Sequence, residues 1–292
     1  NLAFLHRVTG NPQAAVDSCR QALKLCSDFQ DAYANLGLAL KDMGRTDEAV
    51  ENCLKAIELE PENPLGHNYL GTCFYSQGRL DDALDCYTKA VELNDKYTEA
   101  YNNLGIAYYD KHLYDKGVEC CRKAVSLRPD FAEAHNNLAI NLKGQREYDE
   151  ALGILNYIIS QIPDFIKAYI NMAAIYHEMG RFGEAIQALD RAIAIRPEFE
   201  PAHAARSYIL LLTGDFENGW KGHKYRKAIQ RRNTAYEQEY TGRVWSGEPL
   251  AGKTILVHYE QGFGDNIQFI RYLPMVRERA GKVIFQCLPH LY

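Results

Sequence analysis

Large apolar residues return along this chain at a fixed spacing of 34 residues. One register holds a large apolar side chain at Leu2, Leu36, Leu70, Leu104, Leu138 and Met172. A second register holds only small residues, at Ala15, Ala49, Ala83, Gly117, Ala151, Ala185 and Gly219. A period of about 34 residues with fixed large and small positions predicts a stack of helix-turn-helix units, because the small residues let two helices approach closely.

Glycine and proline mark the ends of the predicted helices. A turn glycine recurs in one register, and a proline follows the second helix of a unit because proline cannot continue it. The glycines are Gly10, Gly44, Gly78, Gly180 and Gly214, and the prolines are Pro61, Pro129, Pro163 and Pro197. The whole pattern resembles the tetratricopeptide repeat, whose stacked units form a superhelical binding surface.

The repeat also predicts the domain organisation. We expect a solenoid of about six repeats over residues 1–199 and a degenerate capping repeat over 200–233, where Arg206 takes the large apolar position. Residues 234–253 are rich in glycine and show no helical period, so they are predicted to be an extended linker. The complete units are predicted at 30–63, 64–97, 98–131, 132–165 and 166–199.

A different pattern follows the predicted linker. Residues 254–258 and 282–287 favour β-strands, and the segment from Asn266 to about Ala280 favours a helix. Strand, helix and strand predict a β-α-β unit of a parallel sheet, so residues 254–292 are expected to begin an α/β domain. One such unit cannot bury itself, which suggests a fragment of a larger protein. The predicted fold class is mostly α, a right-handed tetratricopeptide superhelix followed by this incomplete α/β domain.

Composition narrows the classes of partner and location. A net charge of -5 gives no basic footprint, so no nucleic-acid partner is expected. No apolar run is long enough for a membrane span. The eight cysteines contain no C-x-x-C pair, so no metal site is predicted. Most are expected to be free thiols that pack as small hydrophobes, which suits a reducing, cytoplasmic location.

Asparagine recurs immediately before the large apolar residue of the first helices, which are expected to line the concave face of the stack. These amides offer donors and acceptors to a bound peptide backbone, or they bond to a neighbouring helix or turn. The predicted partner is a protein or peptide, and a homodimer through the open ends is compatible with the pattern. The predicted peptide-binding residues are Asn35, Asn68, Tyr69, Tyr75, Asn103, Tyr109, Asn137 and Asn171.

Two further candidate sites lie beyond residue 220. A basic run from Lys221 to Arg232 is either an anion site or the solvated face of a helix. Gly262 and Gly264 form a loop before Asp265 at a predicted helix start, where backbone N–H groups favour negative charge. From the spacing alone, Asp265 is predicted to be the N-cap of that helix.

Longer stretches resemble known proteins. The asparagine-bearing repeats resemble those of O-linked N-acetylglucosamine transferase, in which a similar ladder binds substrate polypeptide. The later stretches resemble bacterial fusions of tetratricopeptide repeats with a glycosyltransferase. These stretches are Gly214–Phe216 with Gly219–Trp220, then Trp245–Lys253, and then Glu260–Asp265 with Ile267–Phe269.

The resemblance to the fusions carries implications for function. It implies that residues 254–292 begin the acceptor lobe of a heptosyltransferase-like GT-B domain, with Asp265 in the place of a proposed general base. It implies a nucleotide sugar as donor for the complete enzyme and no cofactor for this fragment, which lacks the donor lobe and is not expected to be catalytic. The alternative function is a non-catalytic scaffold for protein–protein interactions.

Overall fold

The computed structural model describes residues 2, 6, 9–225, 250–258 and 272–286. The chain divides into two compact units, Asn1–Asn233 and Thr234–Tyr292, and each is taken by itself. Among the described residues, the first unit consists of helices, and the second contains two parallel strands and a helix that precedes the second strand.

Pairs of helices build the described part of the first unit, and each unit predicted between residues 30 and 199 contains two of them. Even-numbered helices are the first helices of their repeats and odd-numbered helices are the second. In chain order they are α1 (Pro12–Leu25), α2 (Gln30–Asp42), α3 (Thr46–Leu59), α4 (Pro64–Ser76), α5 (Leu80–Leu93), α6 (Thr98–Asp110), α7 (Tyr114–Leu127), α8 (Ala132–Gly144), α9 (Tyr148–Gln161), α10 (Ile166–Glu178), α11 (Phe182–Ile195), α12 (Glu200–Leu212) and α13 (Phe216–Gly222), followed by a 3₁₀ turn (His223–Tyr225).

The turn between the two helices of a repeat uses a left-handed backbone. The predicted turn glycines have φ between +73° and +88°, a region that glycine enters without steric cost. In two repeats the same turn position is His112 or Arg146, with φ of +59° and +66°. The turn geometry is therefore kept even where the glycine is lost.

First helices of neighbouring repeats contact one another as well as their own second helices. This arrangement places the first helices on the inner side of the stack. The core between the layers is built from the predicted large and small registers, with Leu36, Leu70, Leu104, Leu138 and Met172 all buried. The predicted tetratricopeptide superhelix is confirmed by this packing.

A hydrogen bond ties the start of several first helices to the preceding proline. His67, His135 and His203 bond through Nε2 to the carbonyl oxygens of the prolines six positions earlier, at 2.7 to 2.9 Å. Tyr169 does the same through its hydroxyl, which donates to Pro163 O at 3.1 Å. These bonds connect the end of one repeat to the first helix of the next.

The second unit contains β1 (Leu250–His258), α14 (Leu273–Arg279) and β2 (Ala280–Gln286). The strands pair in parallel, with Ile255 opposite Val283 and Val257 opposite Phe285, so the predicted parallel strand pair is confirmed. β1 begins at Leu250 rather than at Thr254, inside the predicted linker, because Leu250 already pairs with Ala280 across a register shift. None of the helices in the described ranges has the length and apolar character needed to cross a bilayer.

Candidate peptide-binding face

A ladder of amide hydrogen bonds joins the first helices of successive repeats. The Nδ2 group of Asn103 donates to Oδ1 of Asn68 at 2.9 Å. Asn137 donates to Asn102 at 2.8 Å, and Asn171 donates to Asn136 at 2.7 Å. Each donor belongs to the predicted asparagine register, and each acceptor stands one residue earlier on the preceding first helix. The amides are therefore held in fixed orientations along the inner face.

Donors and acceptors of the ladder differ in exposure. Asn103, Asn137 and Asn171 are half-buried, whereas Asn68, Asn102 and Asn136 are buried. The Nδ2 group of Asn68 donates a hydrogen bond to the hydroxyl oxygen of Tyr97 at 3.1 Å. Each half-buried amide uses one side-chain N–H in the ladder, and its second N–H and its side-chain oxygen make no hydrogen bond with another described residue.

Other residues of the first helices also bond across repeats. The Tyr75 hydroxyl donates to Oδ2 of Asp110 at 2.5 Å, and Nζ of Lys143 lies 3.2 Å from Oε1 of Glu178. Burial lowers the pKa of Lys143, but Tyr109 and Glu178 outweigh it and raise the pKa. Lys143 is therefore a cation at neutral pH, held at the end of its helix by the carboxylate.

Three aromatic rings lie close together on α10, α11 and α12. The ring of His177 lies 5.8 Å from the rings of Phe182 and Tyr208, measured between ring centres. Tyr208 is largely exposed, although it stands in the register that Ile106 and Ile140 occupy in earlier repeats. The face thus carries amides along its length and an exposed aromatic ring towards α12.

The other predicted site residues lie as follows. Asn35 is buried and donates to Asp31 O of its own helix at 2.7 Å. Tyr69 is half-buried on α4, and the ring of Tyr109 lies 5.5 Å from that of Tyr114. Gly262, Gly264 and Asp265 lie outside the described residues, as do the basic residues after Tyr225.

The acceptors of the ladder were predicted only in part, since Asn68 is a predicted binding residue and the other two are not. Asn102 and Asn136 were assigned no binding role, although the sequence contains the doubled asparagines 102–103 and 136–137 at the repeat spacing. That doubling was the available signal. Within the described ranges no three His, Cys, Asp or Glu side chains come together as a metal site.

Family models recognise the repeats in most of the helical unit. Models described as tetratricopeptide repeat match residues 31–63 and 98–131, 52–85, and 142–209. A model described as TPR repeat matches residues 71–111. Protein FlbA of Caulobacter vibrioides is 35% identical over 77 residues, which are 26% of this chain. The matched part spans only 13% of FlbA.

Solved structures show the same fold. A tetratricopeptide repeat protein from Parabacteroides merdae aligns over 78% of this chain and 90% of its own, with a TM-score of 0.64 and 20% identity. The Cut9-Hcn1 structure of the APC/C aligns over 78% of this chain and 45% of its own, with a TM-score of 0.68 and 14% identity. YrrB, described as a TPR protein with an unusual peptide-binding site, aligns over 65% and 98% with a TM-score of 0.50 and 21% identity.

Proposed function

This chain belongs to the tetratricopeptide-repeat proteins, modules that mediate protein–protein or peptide binding, and we propose that it holds an extended polypeptide along the first helices. The observation that carries the proposal is the amide ladder. Its three half-buried donors, Asn103, Asn137 and Asn171, stand at the same place in consecutive repeats. A peptide backbone presents N–H and C=O groups at regular intervals, which suits such a row of amides.

The ladder also favours binding by pre-organisation. A free asparagine side chain loses rotamer entropy when it grips a ligand, whereas these side chains are already held by one hydrogen bond each. Hydrogen bonds to the main chain of a peptide do not depend on the sequence of that peptide. Selectivity is therefore expected from the side chains beside the row of asparagines. Tyr75, Tyr109, Lys143 and Tyr208 supply aromatic and cationic contacts there.

The experiment compares partner capture by the wild-type chain and by a variant with Asn103, Asn137 and Asn171 replaced by alanine. We expect the variant to lose at least tenfold in retained polypeptide, quantified by mass spectrometry after a pulldown. The matched control is Asn52→Ala, which removes an asparagine from second helix α3 that bonds to Glu48 O. Capture that is equal in the triple variant and in the control contradicts the proposal.

A second control separates binding from stability. Asn136→Ala removes the acceptor of Asn171 but leaves the Asn171 side chain in place. One lost hydrogen bond costs about 0.5–1.5 kcal/mol of folding stability. N136A should unfold earlier than wild type. Because it loosens one ligand-contacting amide but removes none, it should lose much less captured polypeptide than the triple variant.

The proposed biological role is to bring a polypeptide acceptor to a glycosyltransferase. The resemblance of residues 245–253 and 260–269 to repeat–glycosyltransferase fusions supports this role, and a parallel β-α-β unit is what the start of such a domain requires. Asp265 is the proposed base, acting on an acceptor hydroxyl. The test supplies the full-length protein with nucleotide sugars and cell extract; absence of both sugar-nucleotide hydrolysis and protein labelling would leave the scaffold role.

A further inference from the structure

One joint of the stack contains two thiols in direct contact. The Sγ atoms of Cys53 on α3 and Cys73 on α4 lie 3.9 Å apart and share a hydrogen bond. Both side chains are fully buried in the same core cluster. Cys53 belongs to the repeat at 30–63 and Cys73 to the repeat at 64–97, so the contact crosses from one repeat to the next.

Packing alone does not require sulfur at this joint. The registers of Cys53 and Cys73 hold Leu155 with Ile175 and Leu189 with Ile209 in later repeats, and all four of those residues are buried. Hydrocarbon therefore fills the equivalent positions without a reactive group. At the joint of Cys121 the opposite residue is Asn141, whose Nδ2 lies 3.8 Å from the sulfur.

We propose that Cys53 and Cys73 are a redox site at which hydrogen peroxide forms a disulfide between the two repeats. Oxidation would join α3 to α4 covalently and fix the angle of that joint. This proposal does not depend on the peptide-binding role.

The chemistry balances as a two-electron oxidation by the peroxide. The thiolate of Cys73 attacks one peroxide oxygen, the O–O bond breaks, and the released hydroxide takes up a proton to become water. This step leaves a sulfenic acid on Cys73. The sulfur of Cys53 then attacks the Cys73 sulfur, the S–O bond breaks, and the leaving hydroxide takes the Cys53 proton as a second water.

The surroundings favour this order of events. The hydrogen bond with Cys73, together with burial, raises the pKa of Cys53. The hydrogen bond from Cys53 lowers the pKa of Cys73 against the effect of burial, while Lys41 lowers this pKa and Asp42 raises it. Cys73 is therefore the better nucleophile of the two, and the Cys53 thiol is adjacent when the sulfenic acid forms.

Two movements are needed before the bond forms. A disulfide has an S–S distance of about 2.05 Å, so the sulfurs must approach by about 1.9 Å. The oxidant also has to enter a buried joint, which in a repeat stack occurs when neighbouring repeats separate locally. The reaction should therefore be slow in the native protein and faster when this joint opens.

The experiment treats the reduced full chain with hydrogen peroxide, blocks the remaining thiols with iodoacetamide and maps tryptic peptides. Cys53 and Cys73 fall in separate peptides, 46–55 and 56–79, with one cysteine in each. We expect a linked peptide lighter by two hydrogens than the sum of the two. The thiol count in denaturant should fall by two from the eight cysteines.

Matched variants distinguish a specific disulfide between Cys53 and Cys73 from unspecific oxidation of cysteines. Cys73→Ala introduces the residue that Ala39 and Ala107 already place in this register, so the fold should be retained and the linked peptide lost. Cys19→Ala changes the equivalent of Cys53 one repeat earlier and should leave the linked peptide unchanged. Sub-denaturing urea should speed the linkage several-fold, whereas alkylation of exposed Cys26 should hardly change.

Two results would overturn the proposal. One is a peptide map in which Cys53 and Cys73 remain free thiols while Cys26 is oxidised. The other is a linkage of either cysteine to Cys86, which packs against the same cluster, or to a second molecule.

Discussion

At the scale of single residues, the buried side chain of Asn141 restricts which residues can stand beside it. Asn141 is fully buried, and its Nδ2 donates to Gly105 O at 3.1 Å and to Asn137 O at 2.9 Å. Its Oδ1 has no hydrogen-bond partner among the described atoms. A Cβ on Gly117 would stand 1.9 Å from that oxygen, which explains glycine in a register where most repeats have alanine.

This packing predicts a strong coupling between Gly117 and Asn141. Gly117→Ala should lower the free energy of unfolding by about 1–3 kcal/mol, since overpacking forces a buried group to move. The double variant with Asn141→Ala should recover most of the loss, because it recreates the pair Ala83 and Ala107 found one joint earlier. Urea unfolding of both single variants and the double variant measures the coupling.

A control for helix propensity is available at Gly153, where nothing lies within 4 Å of an added Cβ. Gly153→Ala should stabilise the chain by up to about 1 kcal/mol, since alanine favours a helix over glycine. Equal effects of G117A and G153A would contradict the steric explanation.

At the scale of elements, the turns show how the repeat tolerates departures from its pattern. Arg146 keeps a positive φ although its register is glycine in five other repeats. Neighbouring helices impose the turn, because α8 and α9 pack against each other and fix where the chain must reverse. A residue with a side chain is then held in a backbone region that costs about 1–2 kcal/mol.

We therefore expect Arg146→Gly to raise stability by about 0.5–1 kcal/mol. This net gain is the strain energy that is removed minus the extra conformational entropy that glycine loses on folding. Gly180→Ala, in the same register, should lower stability by a similar amount because it introduces the strain. Thermal unfolding followed by circular dichroism compares the two. A destabilised R146G protein would show that the arginine side chain contributes more than the turn strain costs.

At the scale of the whole molecule, buried thiols and phenols link stability to pH. Burial raises the pKa of Cys19, Cys86 and Cys120 to about 11 and that of Cys121 to about 12. Burial also raises the pKa of Tyr87 and Tyr97. The unfolded chain releases these thiol protons at about pH 8.5, so it binds fewer protons than the folded chain above that value.

The pKa values of these thiols are higher in the folded chain than in the unfolded chain. The stability that the protonated thiols contribute is therefore complete below about pH 8.5 and is lost progressively as the pH rises to about 11. The urea midpoint should stay constant between pH 6 and pH 8 and fall steadily from pH 9 to pH 11. Cys120→Ala should make that fall shallower. A midpoint that stays level to pH 11 would rule out this linkage.

The sequence by itself determined the helices, their order and the presence of a parallel strand pair, but not the residue at which the first strand begins. Every 34 residues the sequence again places small residues where two helices pack closely and glycine or proline at the turns. Each repeat therefore carries the residues that determine its own two helices. The row of first-helix asparagines was visible for the same reason. The hydrogen-bond partner of each donor asparagine in the ladder could not be read from the sequence, because that partner lies on the neighbouring repeat.

Only the tertiary structure decided those partners. The tertiary structure placed Asn103, Asn137 and Asn171 against amides on the preceding first helix, and it brought Cys53 against Cys73. These choices follow from the rise and rotation between repeats, which bring a residue near one about 35 or 20 positions away. Local sequence preferences act within a few residues, so the stacking of whole repeats fixes such contacts.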